Sequence, residues 1–133
     1  MSSVVIFTQA LGDRTRWRIV RLVMDEALCA CELADILEMP QSSVSSHVQI
    51  LRKAGLLEGE RCGKWSYFRI EAKYLDLIRT LDSVFAAGKE ATAKEDARRA
   101  RCRLAERENS CCPKPLKLAA KKTGKESEKE HVS

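Results

Sequence analysis

The chain has 133 residues, enough for one domain with a modest core, and only 5% of them are aromatic. Its net charge is +5, and the whole excess lies in residues 72–133, because residues 1–71 carry equal numbers of acidic and basic side chains. No apolar run is long enough for a membrane helix and the first residues do not form a signal peptide, so we expect a cytoplasmic protein without membrane contact.

The first 55 residues have the apolar spacing of four short helices. The first is predicted to end near Gly12, and Asp13 is a suitable N-cap for the second. A third helix is expected over about residues 29–37. Pro40 suits the first position of a fourth helix, and Gly55 suits the position just after its end.

The pattern after Gly55 changes to that of a β-hairpin followed by a helix. Strand-forming residues follow the turn-like segment 61–64, which places Cys62, Gly63 and Lys64 near the hairpin tip. A fifth helix from about Ala72 carries more apolar residues than a small domain needs, namely Tyr74, Leu77, Ile78, Leu81, Val84 and Phe85. We interpret this stripe as one shared with a second subunit, with the first helix as its neighbour.

The start of the fourth helix is rich in short hydrogen-bonding side chains. No acidic residue occurs between Gln41 and Leu57, so phosphate can approach, and a helix N-terminus favours phosphate further. Such groups can contact phosphates and base edges when the helix enters the major groove of DNA. The candidate DNA contacts are Gln41, Ser42, Ser43, Ser45, Ser46 and His47 on the helix, and Arg61 and Lys64 on the hairpin.

Two cysteines one residue apart, Cys29 and Cys31, stand at the predicted start of the third helix. Six cysteines in a reducing compartment favour thiol or metal chemistry, and thiolates select soft ions. Residues at i and i+2 do not face each other on a helix, so sharing one ion requires an irregular helix start. A helix N-terminus is expected to lower the thiol pKa. A second candidate metal cluster comprises Cys102, Cys111 and Cys112.

Several segments together resemble the ArsR family of winged-helix repressors. Residues 11–19 (LGDRTRWRI) resemble the family's opening motif, and residues 28–34 (LCACELA) resemble its metalloid box. Residues 41–57 resemble its recognition helix and residues 61–69 its wing. The resemblance covers roughly residues 6–85. It implies a homodimeric repressor that releases an inverted-repeat operator when it binds its inducer, As(III) or Sb(III), with no catalytic cofactor.

Two positions depart from the family pattern. Many relatives carry an arginine where this chain has Ser46, so its base contacts are expected to differ. Arsenic-box relatives often carry a third cysteine soon after the pair, where this chain has Ala34 and Asp35. The expected fold is mainly α with a small β-hairpin, a winged helix-turn-helix that dimerises through its N- and C-terminal helices.

We divide the chain into three parts on these grounds. Residues 1–88 form the winged helix-turn-helix and dimerisation domain, and residues 89–108 form a polar helical extension. Residues 109–133 form a flexible tail that contains Cys111 and Cys112 and has little apolar content. The extension either continues the fifth helix or frays, with a thin seam formed by Ala93, Ala97, Ala100 and Leu104.

The third inducer ligand stays open at this point. A tail cysteine from either subunit can join Cys29 and Cys31, or Cys102, Cys111 and Cys112 can form the site alone; Cys62 on the wing is expected to lie too far away.

The alternatives in function are a thiol redox sensor and a cadmium or lead sensor. The resemblance also implies that zinc-sensing relatives bind zinc on the fifth helix; a site of that type is not expected here, because this helix has no histidine. An arsenate reductase has little support, since no glycine-rich phosphate loop precedes a cysteine.

Overall fold

The N-terminal helices follow the predicted spacing. The computed structural model describes residues 3–107 and begins with α1 (Ser3–Leu11) and α2 (Arg14–Leu22). Asp13 has extended backbone and its carboxylate accepts the Arg16 N–H at 3.0 Å, which confirms it as the N-cap of α2. Val20 is fully buried and Met24 nearly so, as expected for the inward face of this segment.

The third and fourth helices form a helix-turn-helix. Helix α3 spans Ala30–Leu37 and α4 spans Gln41–Lys53. Between them Glu38 has a φ of 55°, and the Met39 N–H donates to the Ala34 carbonyl at 3.1 Å, a closed C-terminal turn. Pro40 is the N-cap of α4 rather than its first helical residue, because its ψ of 142° is still extended.

The predicted hairpin consists of β2 (Leu57–Cys62) and β3 (Trp65–Ile70), joined at Gly63 and Lys64. Gly63 has a φ of 64°, which favours glycine at this tip. A third strand, β1 (Leu28–Cys29), was not predicted; it pairs antiparallel with β3 and gives the sheet order β1-β3-β2. Cys29 therefore has extended backbone, and the prediction that α3 begins at about this residue was wrong by one position.

Two helices complete the described chain. A short 3-10 turn over Ala72–Tyr74 precedes α5 (Leu75–Val84), so the α-helix begins later than predicted. After a second 3-10 turn the chain forms α6 (Ala91–Ala105), which packs against α2 and α3 instead of continuing α5. Ala93 is buried on α6 but Ala97 is exposed, so the predicted alanine seam is only partly correct.

The core lies between α2, α3, α4 and one face of the sheet. Its fully buried side chains come from every one of these elements, for example Ile19, Leu33, Leu51 and Leu28. Burial of an aliphatic side chain of this size contributes about 1.5–3 kcal/mol. Among residues 3–107, no helix is long and apolar enough to cross a membrane.

The cap at Asp13 allows a direct test of the helix-start assignment. In an Asp13→Ala variant the Arg16 N–H loses its acceptor, and we expect the free energy of unfolding to fall by about 1 kcal/mol. Urea unfolding followed by circular dichroism measures this change. Glu106→Ala, at an exposed position just after α6, is the matched control, and an equal loss in both variants would contradict the capping role.

Candidate functional site

The two cysteines of the pair meet without any distortion of a helix. Their sulfur atoms are 3.0 Å apart. We expected that an i, i+2 pair on a helix would need an irregular helix start. No irregular start is needed, because Cys29 has the extended backbone of β1 and only Cys31 lies on α3. Metal–sulfur bonds are about 2.3 Å long, so both sulfur atoms can bond to one soft ion.

The protonation state of Cys29 differs from the sequence-based expectation. Burial raises the pKa of the Cys29 thiol far above its ordinary value, and the hydrogen bond shared with Cys31 acts in the same direction. The residue is 1% exposed, so the loss of hydration outweighs the helix N-terminus. The prediction of a lowered pKa was therefore wrong for Cys29.

A small cluster of aromatic and sulfur-containing side chains surrounds the pair. Tyr67 lies opposite Cys29 in the sheet and packs with it, and Cys31 and Cys62 pack against the same cluster. Cys62 therefore lies closer to the start of α3 than predicted. Within residues 3–107, however, no three Cys, His, Asp or Glu side chains are grouped closely enough to hold a metal ion.

The predicted DNA contacts on α4 differ in their exposure to solvent. Gln41, Ser42, Ser45 and Ser46 are exposed, whereas Ser43 is half-buried. His47 is also half-buried: its Nδ1 lies 3.4 Å from Arg16 Nη1 and 3.8 Å from Asp13 Oδ2. The ring of His47 thus holds α4 against the start of α2, a contact that sequence reasoning did not anticipate.

The hairpin residues predicted to form the wing lie beside α4 and the thiol pair. Arg61 and Lys64 are exposed, and Lys64 Nζ lies 5.1 Å from the centre of the Trp65 ring. A cavity of about 310 Å³ separates the wing from the two helices, and its lining residues include Cys29, Cys31, Gln41, Ser45, Arg52, Lys64 and Trp65. The thiol pair, the start of α4 and the wing tip therefore border one space.

Two further side chains of α4, Arg52 and Gln49, lie at the boundary with the hairpin. The guanidinium of Arg52 lies against Gly59 of the wing, where a Cβ would approach it to 3.3 Å, and 5.9 Å from the centre of the Phe68 ring. Gln49 is exposed and lines the same cavity. Arg52 thereby connects the end of the recognition helix to the wing.

The remaining predicted cysteines are separated from the pair or lie outside the described residues. Cys102 is exposed on α6 and lines a surface depression with Asp35, Arg98 and Arg103. The structure does not bring it together with Cys29 and Cys31 in one chain. Cys111 and Cys112 lie beyond residue 107, outside the part of the chain that the structure describes.

A buried ion pair next to the thiols was missed altogether. Arg107 donates to Glu32 through Nε at 2.8 Å and through Nη2 at 2.7 Å, and Nη2 also donates to the Ala27 carbonyl at 2.9 Å. Glu32 in turn accepts the Cys29 N–H at 3.1 Å. No sequence pattern identifies a pair separated by so many residues.

Comparison with known proteins identifies the family. The family model described as "Bacterial regulatory protein, arsR family" matches residues 13–58, which contain the thiol pair and the whole helix-turn-helix. An uncharacterised HTH-type transcriptional regulator of Methanocaldococcus jannaschii is 32% identical over 57% of this chain and 88% of its own length. The chain belongs to the ArsR family. It is a DNA-binding transcriptional repressor and not an enzyme, which removes the reductase alternative.

ArsR-family relatives differ in what their names say they sense. The arsenic resistance transcriptional regulator ArsR1 of Pseudomonas putida is 42% identical over 49% of this chain and 52% of its own length. The cadmium resistance regulatory protein CadC of Listeria innocua is 35% identical over 57% of this chain and 66% of its own length. The chain thus spans about half to two thirds of the length of these two relatives.

The winged-helix fold of the ArsR family is confirmed by solved structures. The "homodimeric winged helix-turn-helix DNA-binding domain" of Mb0332 from Mycobacterium bovis superimposes with a TM-score of 0.58 at 25% identity. The match covers 65% of this chain and 81% of that one. The predicted fold class, mainly α with a small hairpin, is therefore correct.

Proposed function

We propose that this repressor is released from its operator by trivalent arsenic or antimony bound to Cys29 and Cys31. The observation that supports this most strongly is the 3.0 Å approach of two sulfur atoms at the junction of β1 and α3. Thiolate ligands select soft ions, and the donor set contains no oxygen or imidazole ligand that would favour a harder one. The name of the related ArsR1 points to arsenic in the same way.

The position of the pair provides a route from inducer to DNA. Cys29 and Cys31 border the same cavity as the start of α4 and the wing tip, the two elements expected to contact DNA. An ion bonded to both sulfur atoms acts on β1 and on the first turn of α3, and α3 packs against α4. Release follows if the ion binds the DNA-free form more tightly, because it then shifts the population away from the operator.

Fluorescence anisotropy on the DNA upstream of the protein's own gene tests this proposal. The protein is titrated with arsenite, antimonite, methylarsenite, cadmium and zinc under reducing conditions. We expect release by the trivalent metalloids and none by zinc. Release by cadmium alone would assign the protein to cadmium or lead sensing with the same thiols. Tight binding that no ion affects would contradict the metalloid switch.

The DNA contacts on α4 and the wing belong to the same proposal. We infer that Gln41, Ser42, Ser45 and Ser46 face the major groove and that Arg61 and Lys64 contact the backbone from the wing; Ser43 and His47 are less accessible. The operator is an inverted repeat read by a homodimer.

Lys64 offers a specific measurement of the wing contact. In a Lys64→Gln variant we expect operator affinity to fall several-fold and the slope of log K against log salt to decrease by about 1, because one phosphate contact is lost. Anisotropy titrations at a series of salt concentrations measure both quantities. Lys94→Gln on exposed α6 is the control, and identical behaviour of the two variants would contradict a wing–phosphate contact.

A homodimer explains the apolar residues left on one part of the surface. Val84 and Phe85 at the end of α5 are 69% and 73% exposed, and Val4 on α1 is 68% exposed. The rings of Phe7 and Tyr74, with centroids 4.8 Å apart, hold α1 beside the start of α5. Exposed apolar side chains of this size on adjacent helices are typical of a subunit interface.

Phe85 provides the test of this interface. A Phe85→Glu variant places a charge where we expect the partner subunit, so its dimer dissociation constant should rise ~100-fold. Sedimentation velocity over a concentration series measures the change. Thr92→Glu, at an exposed position on α6, is the control, and an unchanged dimer in the Phe85 variant would place the interface elsewhere.

A thiol redox sensor is the second candidate, favoured by the same short distance between sulfur atoms. Oxidation of Cys29 and Cys31 to a disulfide would require the sulfur atoms to approach from 3.0 Å to about 2.05 Å. Operator release by peroxide without any metalloid, reversed by a thiol reductant, would favour this candidate.

A further inference from the structure

Gly59 on β2 leaves room for the guanidinium of Arg52 from the end of α4. A Cβ built on Gly59 would lie 3.3 Å from Cζ of Arg52 and 3.4 Å and 3.5 Å from its two Nη atoms. Because these three distances are nearly equal, the flat face of the guanidinium lies toward the backbone of Gly59. Phe68 pairs with Gly59 across the sheet, and its ring centre is 5.9 Å from Cζ of Arg52. Glycine at this position is therefore explained by the arginine that lies over it.

The positive charge of Arg52 is not neutralised by the part of the chain that the structure describes. Arg52 is exposed and forms no ion pair with a carboxylate among residues 3–107. Glu58 and Glu60 flank Gly59 on β2, but successive side chains of a strand point to opposite faces, so both point away from Arg52. The Phe68 ring attracts the cation without supplying an opposite charge. The N–H donors of Arg52 are thus available to an anion.

The cavity of about 310 Å³ between the wing and the helices is lined by cations and hydrogen-bonding groups. Lys64 and Ser66 line it from the hairpin, and none of the described residues around it is acidic. The α4 side chains that line it recur at helical spacing and so share one face of the helix: Gln41, Ser45, Val48, Gln49 and Arg52. Such a space favours a phosphate group, because phosphate is anionic and accepts several hydrogen bonds.

We propose that this cavity receives a phosphate of the operator backbone and that Arg52, held by Gly59 and Phe68, binds it. This inference deepens the proposed function, because it rests on the proposed placement of α4 and the wing against DNA. It extends the contacts from the start of α4 to the other end of the same helix face. Arginine suits this role, since its planar fork can donate two parallel hydrogen bonds to a phosphate. Gly59 acts as a positioning residue that does not itself bind DNA.

The contact with Gly59 and Phe68 affects how strongly Arg52 can bind. A long side chain loses rotamer freedom when it is fixed on a ligand, and this loss weakens binding. Arg52 already lies against the sheet before DNA arrives, so part of that loss belongs to folding instead. We therefore expect the Arg52 contact to strengthen operator binding about 10-fold, as a charge-assisted hydrogen bond does.

An Arg52→Gln variant tests the phosphate contact. We expect operator affinity to fall about 10-fold and the slope of log K against log salt to become less steep by about 1, because one phosphate contact is lost. Anisotropy titrations on the DNA upstream of the protein's own gene, at a series of salt concentrations, measure both quantities. Arg101→Gln, at an exposed position on α6, is the matched control and should keep the wild-type slope. A wild-type slope in Arg52→Gln would overturn the proposal.

A Gly59→Val variant tests the positioning role without changing any charge. Gly59 is exposed and valine is favoured in strands, so we expect the free energy of unfolding to stay at or above the wild-type value in urea. The branched side chain occupies the place of the guanidinium, so the salt slope should become less steep by about 1, as in Arg52→Gln. A folded variant with the wild-type slope would show that Gly59 does not position Arg52.

The double variant Gly59→Val/Arg52→Gln shows whether both residues act through one contact. If they do, its operator affinity should equal that of Arg52→Gln within about two-fold, because the contact can be lost only once. Independent effects would multiply to a loss of about 100-fold, and that result would overturn the link between Gly59 and Arg52. Since Arg52 is exposed, Arg52→Gln should fold, and it tests the phosphate contact even if Gly59→Val does not fold.

A failure of this inference differs from a failure of the proposed function. If Lys64→Gln and Arg52→Gln both keep the wild-type affinity and slope, this face of the protein does not bind DNA, and the proposed contacts are wrong together with the inference. If only Lys64→Gln loses affinity, the proposed contacts stand and the role of Arg52 is refuted. The titrations contain no metalloid, so they do not depend on which ion releases the operator.

Discussion

A Cys29→Ser/Cys31→Ser variant is expected to bind its operator normally and to lose release by arsenite. The two sulfur atoms are 3.0 Å apart and supply the only donors that we assign to the start of α3. The side chains on α4 and the wing that we propose as DNA contacts are unchanged in this variant. We therefore expect operator affinity within about 0.5 kcal/mol of the wild type, with no release at arsenite concentrations that saturate the wild type.

The stability of this variant requires a separate check. Cys29 is 1% exposed, and a serine hydroxyl at a buried position without an adequate partner costs about 1–3 kcal/mol. A Cys29→Ala/Cys31→Ala variant removes the same ligands without burying a hydroxyl, so the two variants should agree in arsenite response while they differ in urea midpoint. On the same samples, circular dichroism measures the urea midpoint and fluorescence anisotropy measures the arsenite response.

The control for the thiol pair is Cys102→Ser, which removes an exposed thiol from α6. It should release DNA at the same arsenite concentration as the wild type. If the Cys29/Cys31 variants are still released from DNA by arsenite, and this release is lost when Cys111 and Cys112 are also replaced, the inducer site lies in the C-terminal cysteines. Release by peroxide in the wild type but not in the pair variants would support the redox candidate instead.

The helix-turn-helix and the hairpin could be predicted because their signals are local. Asp13 caps α2, Gly55 follows α4 with a φ of 80°, and Gly63 lies at the wing tip with a φ of 64°. Val44, Val48 and Leu51 are all buried, as a single inward face of α4 requires. Each of these features depends on residues that are close together in the chain.

The geometry of the thiol pair and the position of α6 could not be predicted because they depend on distant partners. Strand β1 has two residues and exists only through its pairing with β3, so the sequence around Cys29 resembled a helix start. The sequence predicted only a polar helical extension for this segment, whereas in the structure Arg99 and Arg103 of α6 pair with Glu38 and Asp35 at α3. A two-residue strand has no periodic pattern of its own, and ion pairs between distant helices have none either.

The pair between Arg107 and Glu32 is expected to dominate the stability of the α6 contact. An Arg107→Met variant keeps the aliphatic length of the side chain but leaves the Glu32 carboxylate buried without its cation. Removal of one partner of a buried ion pair typically costs about 3–5 kcal/mol, so we expect a loss of this size in the free energy of unfolding. Arg101→Met, at an exposed position on α6, should change the free energy of unfolding by less than about 0.5 kcal/mol.

A double variant separates the ion pair from simple loss of packing. Replacing Glu32 by glutamine together with Arg107 by methionine removes both charges and leaves an amide oxygen to accept the Cys29 N–H. We expect this variant to recover most of the stability lost in Arg107→Met, since the main penalty is the unpaired buried carboxylate. Equal instability of the single and double variants would show that the guanidinium acts through packing alone.

The pH dependence of stability provides an independent test of the same pair. Burial raises the pKa of Glu32, but the Arg107 guanidinium and the Cys29 N–H outweigh it and hold this pKa below its ordinary value. A lowered folded-state pKa gives stability that is present above the unfolded pKa and is lost as pH falls through the folded pKa.

The Arg107→Met variant should show the opposite pH dependence. It lacks the guanidinium that opposes the effect of burial, so the pKa of Glu32 rises and the variant gains stability as pH falls through that raised value. The difference in unfolding free energy between wild type and variant should therefore be largest near about pH 7 and narrow toward about pH 4, as measured by urea unfolding at each pH. A constant difference over this range would mean that the carboxylate of Glu32 does not carry the effect.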